Sequence, residues 1–231
     1  MLIIHRPPFH AGLVDDRWVD RFHFERQTSG KCGGRLAGVD EAGRGPLAGA
    51  VVAAAVILPV EWHSEGVPVE LCGLNDSKQL TIQQREAFFV CLTQNPAIHW
   101  AIGESSNELI DSINILQATN RAMNQALRRL KDVRHALVDG RPVKGLVCEQ
   151  TAIVKGDALS YSIAAASVIA KVTRDRYMVE AEERWPGYGF AVHKGYGTPD
   201  HLAALERLGP CPIHRRSFAP LRKPDPELFT S

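Results

Sequence analysis

Short apolar runs and longer stretches of helical periodicity alternate along this chain. Leu36–Asp40 (LAGVD) predicts a strand that ends in acids, and Gly49–Leu58 (GAVVAAAVIL) predicts a second one stopped by Pro59. Thr81-Ile-Gln-Gln84 has the form of a capping box and opens a helix that ends before Asn95-Pro96. Ala97–Ser105 alternates like a half-buried strand. Leu116, Met123, Leu127 and Leu130 recur at helical spacing, which predicts an amphipathic helix over Asn114–Lys131. His135–Gly140 (HALVDG) and Leu146–Val154 (LVCEQTAIV) predict two further strands. Asp157–Arg184 reads as one long helix, with a middle of small residues suited to close packing on a sheet. Thr198-Pro199-Asp200 starts another helix, with proline at its first position. Five prolines after Gly209 predict a mostly extended tail. Strands that cluster and then alternate with helices predict a mixed α/β sheet covered by helices.

Residues 1–35 read differently. They are polar and dotted with aromatics, and they end in the glycine-rich joint Gly30–Gly34. The expectation is an extension that is poorly ordered or holds a short helix over Asp15–Arg26.

Composition narrows the class. Hydrophobic residues are 45% and charged residues 23%, so the chain can bury a core and wholesale disorder is excluded. A net charge of +1 excludes a polycation but not a local basic face. One such face is expected near the end. His193–Lys223 holds six lysines and arginines against Asp200 and Glu206, with three histidines besides. Five scattered cysteines with no C-x-x-C pair fit a reducing compartment. The longest apolar run is about half of the ~20 residues that span a membrane, and the N-terminus lacks a signal-peptide core. A cytoplasmic protein without membrane contact is expected.

Acids recur where predicted strands end: Asp40-Glu41, Asp139, and Asp157 just past a strand. Strand termini of an α/β sheet face one crevice, and converging carboxylates there call for a hard divalent cation such as Mg²⁺ or Mn²⁺. Taken singly, each acid also fits a turn or a helix cap. Gly43-Arg44-Gly45 follows the first pair directly. Its backbone can approach a ribose 2′-hydroxyl and Arg44 a phosphate, although a tight turn would use the same glycines. Ser77 and Lys78 before a helix start suggest a phosphate seat, or else a surface turn. Lys171 stands among alanines, whereas Arg174-Asp175 reads as a solvated face. Tyr196, between two glycines, is either presented for stacking on sugars and bases or packed on the domain edge.

Six motifs then add a resemblance. GVDEAGRGPLAGAVVAAAV, LNDSKQLT, LVDG, VKGDALSYSIAAASVIAKVTRDRYM, GYGFAVHKGYGTPDH and PIHRRSFAP occur in order from Leu36 to Pro220. The chain thereby resembles bacterial ribonuclease HII. The resemblance implies a ribonuclease H-like fold: a five-stranded mixed sheet flanked by helices, with a helical C-terminal part from about residue 185. Residues 36–220 form the catalytic domain on this reading, and 221–231 a tail. It implies a metal-dependent endonuclease that hydrolyses RNA in RNA–DNA hybrids and nicks duplex DNA 5′ of an embedded ribonucleotide. The family's metal ligands fall on Asp40, Glu41, Asp139 and Asp157, with Mg²⁺ or Mn²⁺ as cofactor. Its 2′-hydroxyl-reading loop falls on Gly43, Arg44 and Gly45, and its junction-sensing tyrosine on Tyr196. Ser77, Lys78 and Lys171 are the remaining substrate contacts. The fourth acid is Asp, unlike the Glu of ribonuclease HIII. No clamp-binding motif is seen, and a monomer is expected. A different nuclease on the same fold would need the acids without the glycine loop, and a non-catalytic binding module would need neither.

Overall fold

The computed structural model describes residues 19–32 and 35–222. In chain order the elements are α1 (His23–Cys32), β1 (Arg35–Ala42), β2 (Val51–Ile57), α2 (Trp62–Glu65), α3 (Ile82–Gln94), β3 (His99–Ser105) and α4 (Asn107–Arg129). β4 (Val133–Asp139), β5 (Glu149–Ile153), α5 (Gly156–Leu159), α6 (Tyr161–Arg184), α7 (Phe190–His193) and α8 (Pro199–Leu208) follow. The strands form one mixed sheet in the order β3-β2-β1-β4-β5. β2 runs antiparallel to both β1 and β3, while β1, β4 and β5 are parallel. This is the five-stranded sheet with flanking helices that the motifs imply.

Burial explains the strand sequences. β2 is apolar at all seven positions because both of its faces are covered and every residue is buried. On one face, Ala54, Val56 and Leu58 pack with the small residues of α6 and with Phe88 and Leu92 of α3. On the other, Ala53 and Ala55 meet Met123 and Leu127 of α4. The start of α6 lies directly on β1: a Cβ at Gly38 would come within 2.1 Å of the Ser162 carbonyl carbon. Alanine there would lever the helix off the sheet. A further cluster, with Leu47, Met178, Tyr188, Phe190 and Leu205, joins the C-terminal helices to this body.

Four local expectations change. The helix expected at Asn114–Lys131 starts at Asn107 and ends at Arg129. Asn114 is a kink inside it (φ 68°), and its Oδ1 accepts from the Gln117 amide as an internal cap. The long helix from Asp157 is broken at Ser160, which is extended and caps α6 through its hydroxyl. The short N-terminal helix lies at His23–Cys32 and includes Gly30; Asp15–Trp18, Gly33 and Gly34 fall outside the described residues. Finally, residues 209–222 do not extend. They fold back in turns, with the Gly49 amide on the Ile213 carbonyl and the Arg215 amide on the Leu47 carbonyl.

Candidate active site

Parallel pairing of β1 with β4 sets Val39 beside Val138, so the next residues, Asp40 and Asp139, end up side by side. β5 pairs Ile153 with Asp139, and the chain reaches Asp157 four residues later. Oxygens of Asp40, Asp139 and Asp157 all lie within 4.8 Å of one another. One oxygen of each is tethered by a main-chain amide, from Glu41, Gly156 and Ala158 respectively. Glu41 is outside this trio. Its carboxylate pairs with Arg44 at 3.1 Å, at the rim.

The charges are poorly compensated. Burial pushes the Asp40 carboxyl well above the usual range, and the Glu41 and Asp139 charges push it further. Burial, then Asp139 and Asp76, lifts Asp157 to about 6. Glu41 is also raised by burial, against the pull of Arg44. Desolvation opposes the charge on Lys78, but Asp76, Asp40, Asp157 and Asp139 outweigh it and raise its pKa. One nearby lysine cannot neutralise such a cluster. Three crowded carboxylates, two of them buried, suit a hard divalent cation.

The loop after β1 is held from behind. Arg174 and Arg215 are 1% and 0% exposed, so neither is the solvated charge that composition suggests. Arg174 donates to the carbonyls of Ala48, Ala50 and Lys194. Arg215 donates to those of Gly43, Arg44 and Gly49. Burial and the neighbouring Arg174 charge depress the Arg215 pKa to about 9. Gly43 has φ +94°, and a Cβ on it would sit 2.0 Å from Arg174 Nε, so only glycine fits over the clamp.

A cavity of about 390 Å³ opens beside the acids. Asp40 and Glu41 line it, together with the 43–45 loop, Ser77, Lys78, Lys171 and Tyr196; Asp139 and Asp157 are not among its lining residues but lie against Asp40. Tyr196 is 44% exposed, and a Cβ on Gly45 would be 3.5 Å from its ring. A larger cavity, about 750 Å³, lies over α4 and carries no such acid cluster.

The Ribonuclease HII family profile matches residues 37–221. The chain belongs to the ribonuclease HII family. A ribonuclease HII of Paracidovorax citrulli is 55% identical over 190 residues, covering 81% of this chain and 75% of that protein. One from Ruminiclostridium cellulolyticum is 48% identical over 208 residues, covering 88% and 78%. Among solved structures, the ribonuclease H2 of Pyrococcus horikoshii is similar, with TM-score 0.67 and 28% identity over 81% of this chain and 95% of that one. Family membership makes this protein an endoribonuclease, a hydrolase.

Ribonuclease HII motifs contain residues whose work the sequence does not announce. Ser167 is one. It lines the cavity beside Asp40, whose charged form it favours, and shares a 3.0 Å hydrogen bond with Ser77. Ser77 lines the cavity while sharing its hydroxyl with Ser167, and α3 begins only at Ile82, so Ser77-Lys78 has no helix end behind it. The available signal for Ser167 was its position one helical turn before Lys171, as the only hydroxyl in an apolar run. Lys171 itself bonds Asp175 at 2.7 Å, which leaves two of its three N–H donors over.

A buried relay holds Tyr196. His201 Nδ1 bonds the Tyr196 carbonyl at 2.9 Å, and a carbonyl only accepts, so this nitrogen carries the proton. His201 Nε2 must then accept from His214 Nε2, 3.0 Å away. That leaves His214 Nδ1 to accept from the Cys211 amide. Every link is satisfied with both rings neutral. Burial lowers both pKa values, that of His214 to about 4.

Two basic residues of the C-terminal quarter are thus accounted for internally: Arg215 by the loop, and Lys194 by a bond to the Ala191 carbonyl. Lys223 lies outside the described residues. No helix of the described residues is long and apolar enough to cross a membrane.

Proposed function

We propose that this cleft cuts RNA–DNA hybrids and nicks duplex DNA on the 5′ side of a single embedded ribonucleotide, leaving 3′-hydroxyl and 5′-phosphate ends. One observation carries the reading: Asp40 and Glu41 open into the same cavity as the glycine loop and the exposed Tyr196, with Asp139 and Asp157 beside Asp40. A reactive centre and a sugar-reading surface share one space.

Asp40, Asp139 and Asp157, with Glu41 at the rim, would hold Mg²⁺ or Mn²⁺. Such ions polarise a water for attack on a phosphodiester and neutralise charge on the leaving oxygen. The protein's part is placement. Ser167 and the Glu41 amide fix the Asp40 carboxylate. Lys78 and Lys171 stand on the cavity wall where phosphates would pass, and Lys171 has donors to spare beyond its bond to Asp175.

Discrimination falls to the loop. The Gly43 and Arg44 carbonyls already accept from Arg215, so a 2′-hydroxyl meets loop amides and the remaining lone pairs. A site arranged to bond a hydroxyl rejects the sugar that lacks it, because its polar groups stay unpaired. Tyr196 would stack on the following deoxyribose. These roles suit ribonucleotide excision and removal of RNA primers in the cytoplasm.

The test is a 5′-labelled duplex carrying one ribonucleotide, beside an all-DNA control. A single cut 5′ of the ribonucleotide is expected, only with divalent ion. Cutting on its 3′ side, or equal cutting of the control, would overturn the reading.

A further inference from the structure

Helix α1 and the residue pair before it lie outside the span that matches the family profile, and the proposed chemistry makes no use of them. Their contacts nevertheless converge on the supports of the acid cluster. Arg21 Nη2 donates to the carbonyl of Asp157 itself at 2.8 Å, and Nη1 donates to the Leu74 carbonyl. Leu74 immediately precedes the turn Asn75–Lys78, which brings Asp76 and Lys78 to the cluster. One guanidinium therefore spans the two segments that flank the site. Its ring neighbour is Tyr161, 4.5 Å away, whose amide donates back to the Arg21 carbonyl.

Glu25 supplies the second tie. It is fully buried, and its Oε1 accepts from the Ser160 hydroxyl at 2.6 Å, the Ser162 hydroxyl at 2.9 Å and the Ser162 amide at 3.1 Å. A carboxylate is favoured there, at the positive end of α6. Phe22, 4% exposed and 4.9 Å from the Tyr161 ring, anchors the turn between the two polar residues.

Asp157 needs such ties. It rides on α5, a single turn of four residues, and the chain then breaks to extended backbone at Ser160. One isolated turn does not hold its own geometry in water. Its own side chain caps only the next amide. Besides the Gly156 amide on Asp139 and the packing of Leu159, its ties come from Arg21 and, through Ser160, from Glu25.

We propose that the segment Arg21–Glu25 is a brace for the metal centre, in which Arg21 and Glu25 are positioning residues that set where Asp157 presents its carboxylate. This rests on Asp157 as a metal ligand. Groups bonded directly to a metal ligand typically change affinity by about 10–100-fold, and Arg21 and Glu25 act one step further out, through the main chain of Asp157 and through Ser160.

The experiment compares full-length wild type with Arg21→Met, Arg21→Lys, Glu25→Gln and Asp157→Asn. Mn²⁺ binding is titrated directly by calorimetry without substrate, and kcat and KM are measured on a hybrid. Leu127→Ala, on the opposite face of the sheet, is the control for lost stability alone. Arg21→Met and Glu25→Gln should weaken Mn²⁺ binding by up to about tenfold and lower kcat while leaving KM for the duplex unchanged. Arg21→Lys, which can reach one carbonyl but not fork to two, should fall between. Unchanged Mn²⁺ affinity in Arg21→Met, or equal weakening in Leu127→Ala, overturns the brace. If Arg21→Met does not fold, Arg21→Lys and Glu25→Gln decide by the same criterion. Unchanged Mn²⁺ binding in Asp157→Asn would instead remove Asp157 from the centre, and the two failures are thus separable.

Discussion

Arg215 donates from Nη2 to the carbonyl of Gly43 at 2.5 Å, although 172 residues separate them. Its other donors take the Arg44 and Gly49 carbonyls, so one buried guanidinium shapes the loop that faces the proposed ribose. Arg215→Met leaves those carbonyls without a donor. Each buried, unsatisfied group costs about 1–3 kcal/mol, so stability should fall by about 3 kcal/mol or more, read by chemical unfolding. Cleavage of the single-ribonucleotide duplex should fall further than the folded fraction does, with Mn²⁺ binding retained. A loss of cleavage that merely tracks unfolding would show that the clamp does not tune the loop.

Asp40 is the most burdened acid, desolvated and crowded by Glu41 and Asp139. Asp40→Asn should abolish turnover and leave duplex binding intact. It should also raise the melting temperature of the metal-free protein, because a neutral amide replaces a buried charge among like charges. Turnover assays and thermal unfolding in chelator check both halves. Undiminished turnover would mean that the centre lies elsewhere.

For Tyr196, the exposed ring beside Gly45 meets the Arg174 guanidinium at 6.0 Å and has no hydroxyl partner among the described residues, and its backbone is held independently by His201. Tyr196→Ala should therefore fold normally. Its activity on the single-ribonucleotide duplex should drop by more than its duplex affinity does, since base or sugar stacking contributes about 1–3 kcal/mol. Equal losses in both measurements would make the ring a plain binding contact.

The His201–His214 relay predicts a pH dependence. His214 is held neutral when folded, with its pKa lowered from 6.5 to about 4. A depressed histidine favours folding above its unfolded pKa and loses that contribution as pH falls. Stability worth about 3 kcal/mol should drain away between roughly pH 6.5 and 4. In His214→Gln the unfolding free energy should depend less steeply on pH across that window. The acid cluster titrates in both proteins, so the difference between them isolates the histidine. Parallel profiles would refute the neutral relay.

Where the signal is local, the amino-acid order was enough. The Thr81 capping box forms with both of its reciprocal bonds, because it involves only four neighbouring residues. Thr198 caps α8 for the same reason. The buried run of β2 and the acids at strand ends were equally legible, since residue type and spacing carry them, whereas the roles given to the glycine loop and Tyr196 came from the resemblance of whole motifs.

Tertiary structure decided the rest. Only the parallel register of β1 with β4 brings Asp40 to Asp139 across 99 positions, and pairing register is a property of two strands rather than of either one. Arg174 and Arg215 read as surface charges because desolvating an ion is costly; they, like Glu25, are buried because distant carbonyls and hydroxyls converge on them. The break at Ser160 was hidden for a similar reason, since the cap that rewards it comes from Glu25 on another helix. What a residue is was written along the chain; what surrounds it depended on which remote segments folding packed against it.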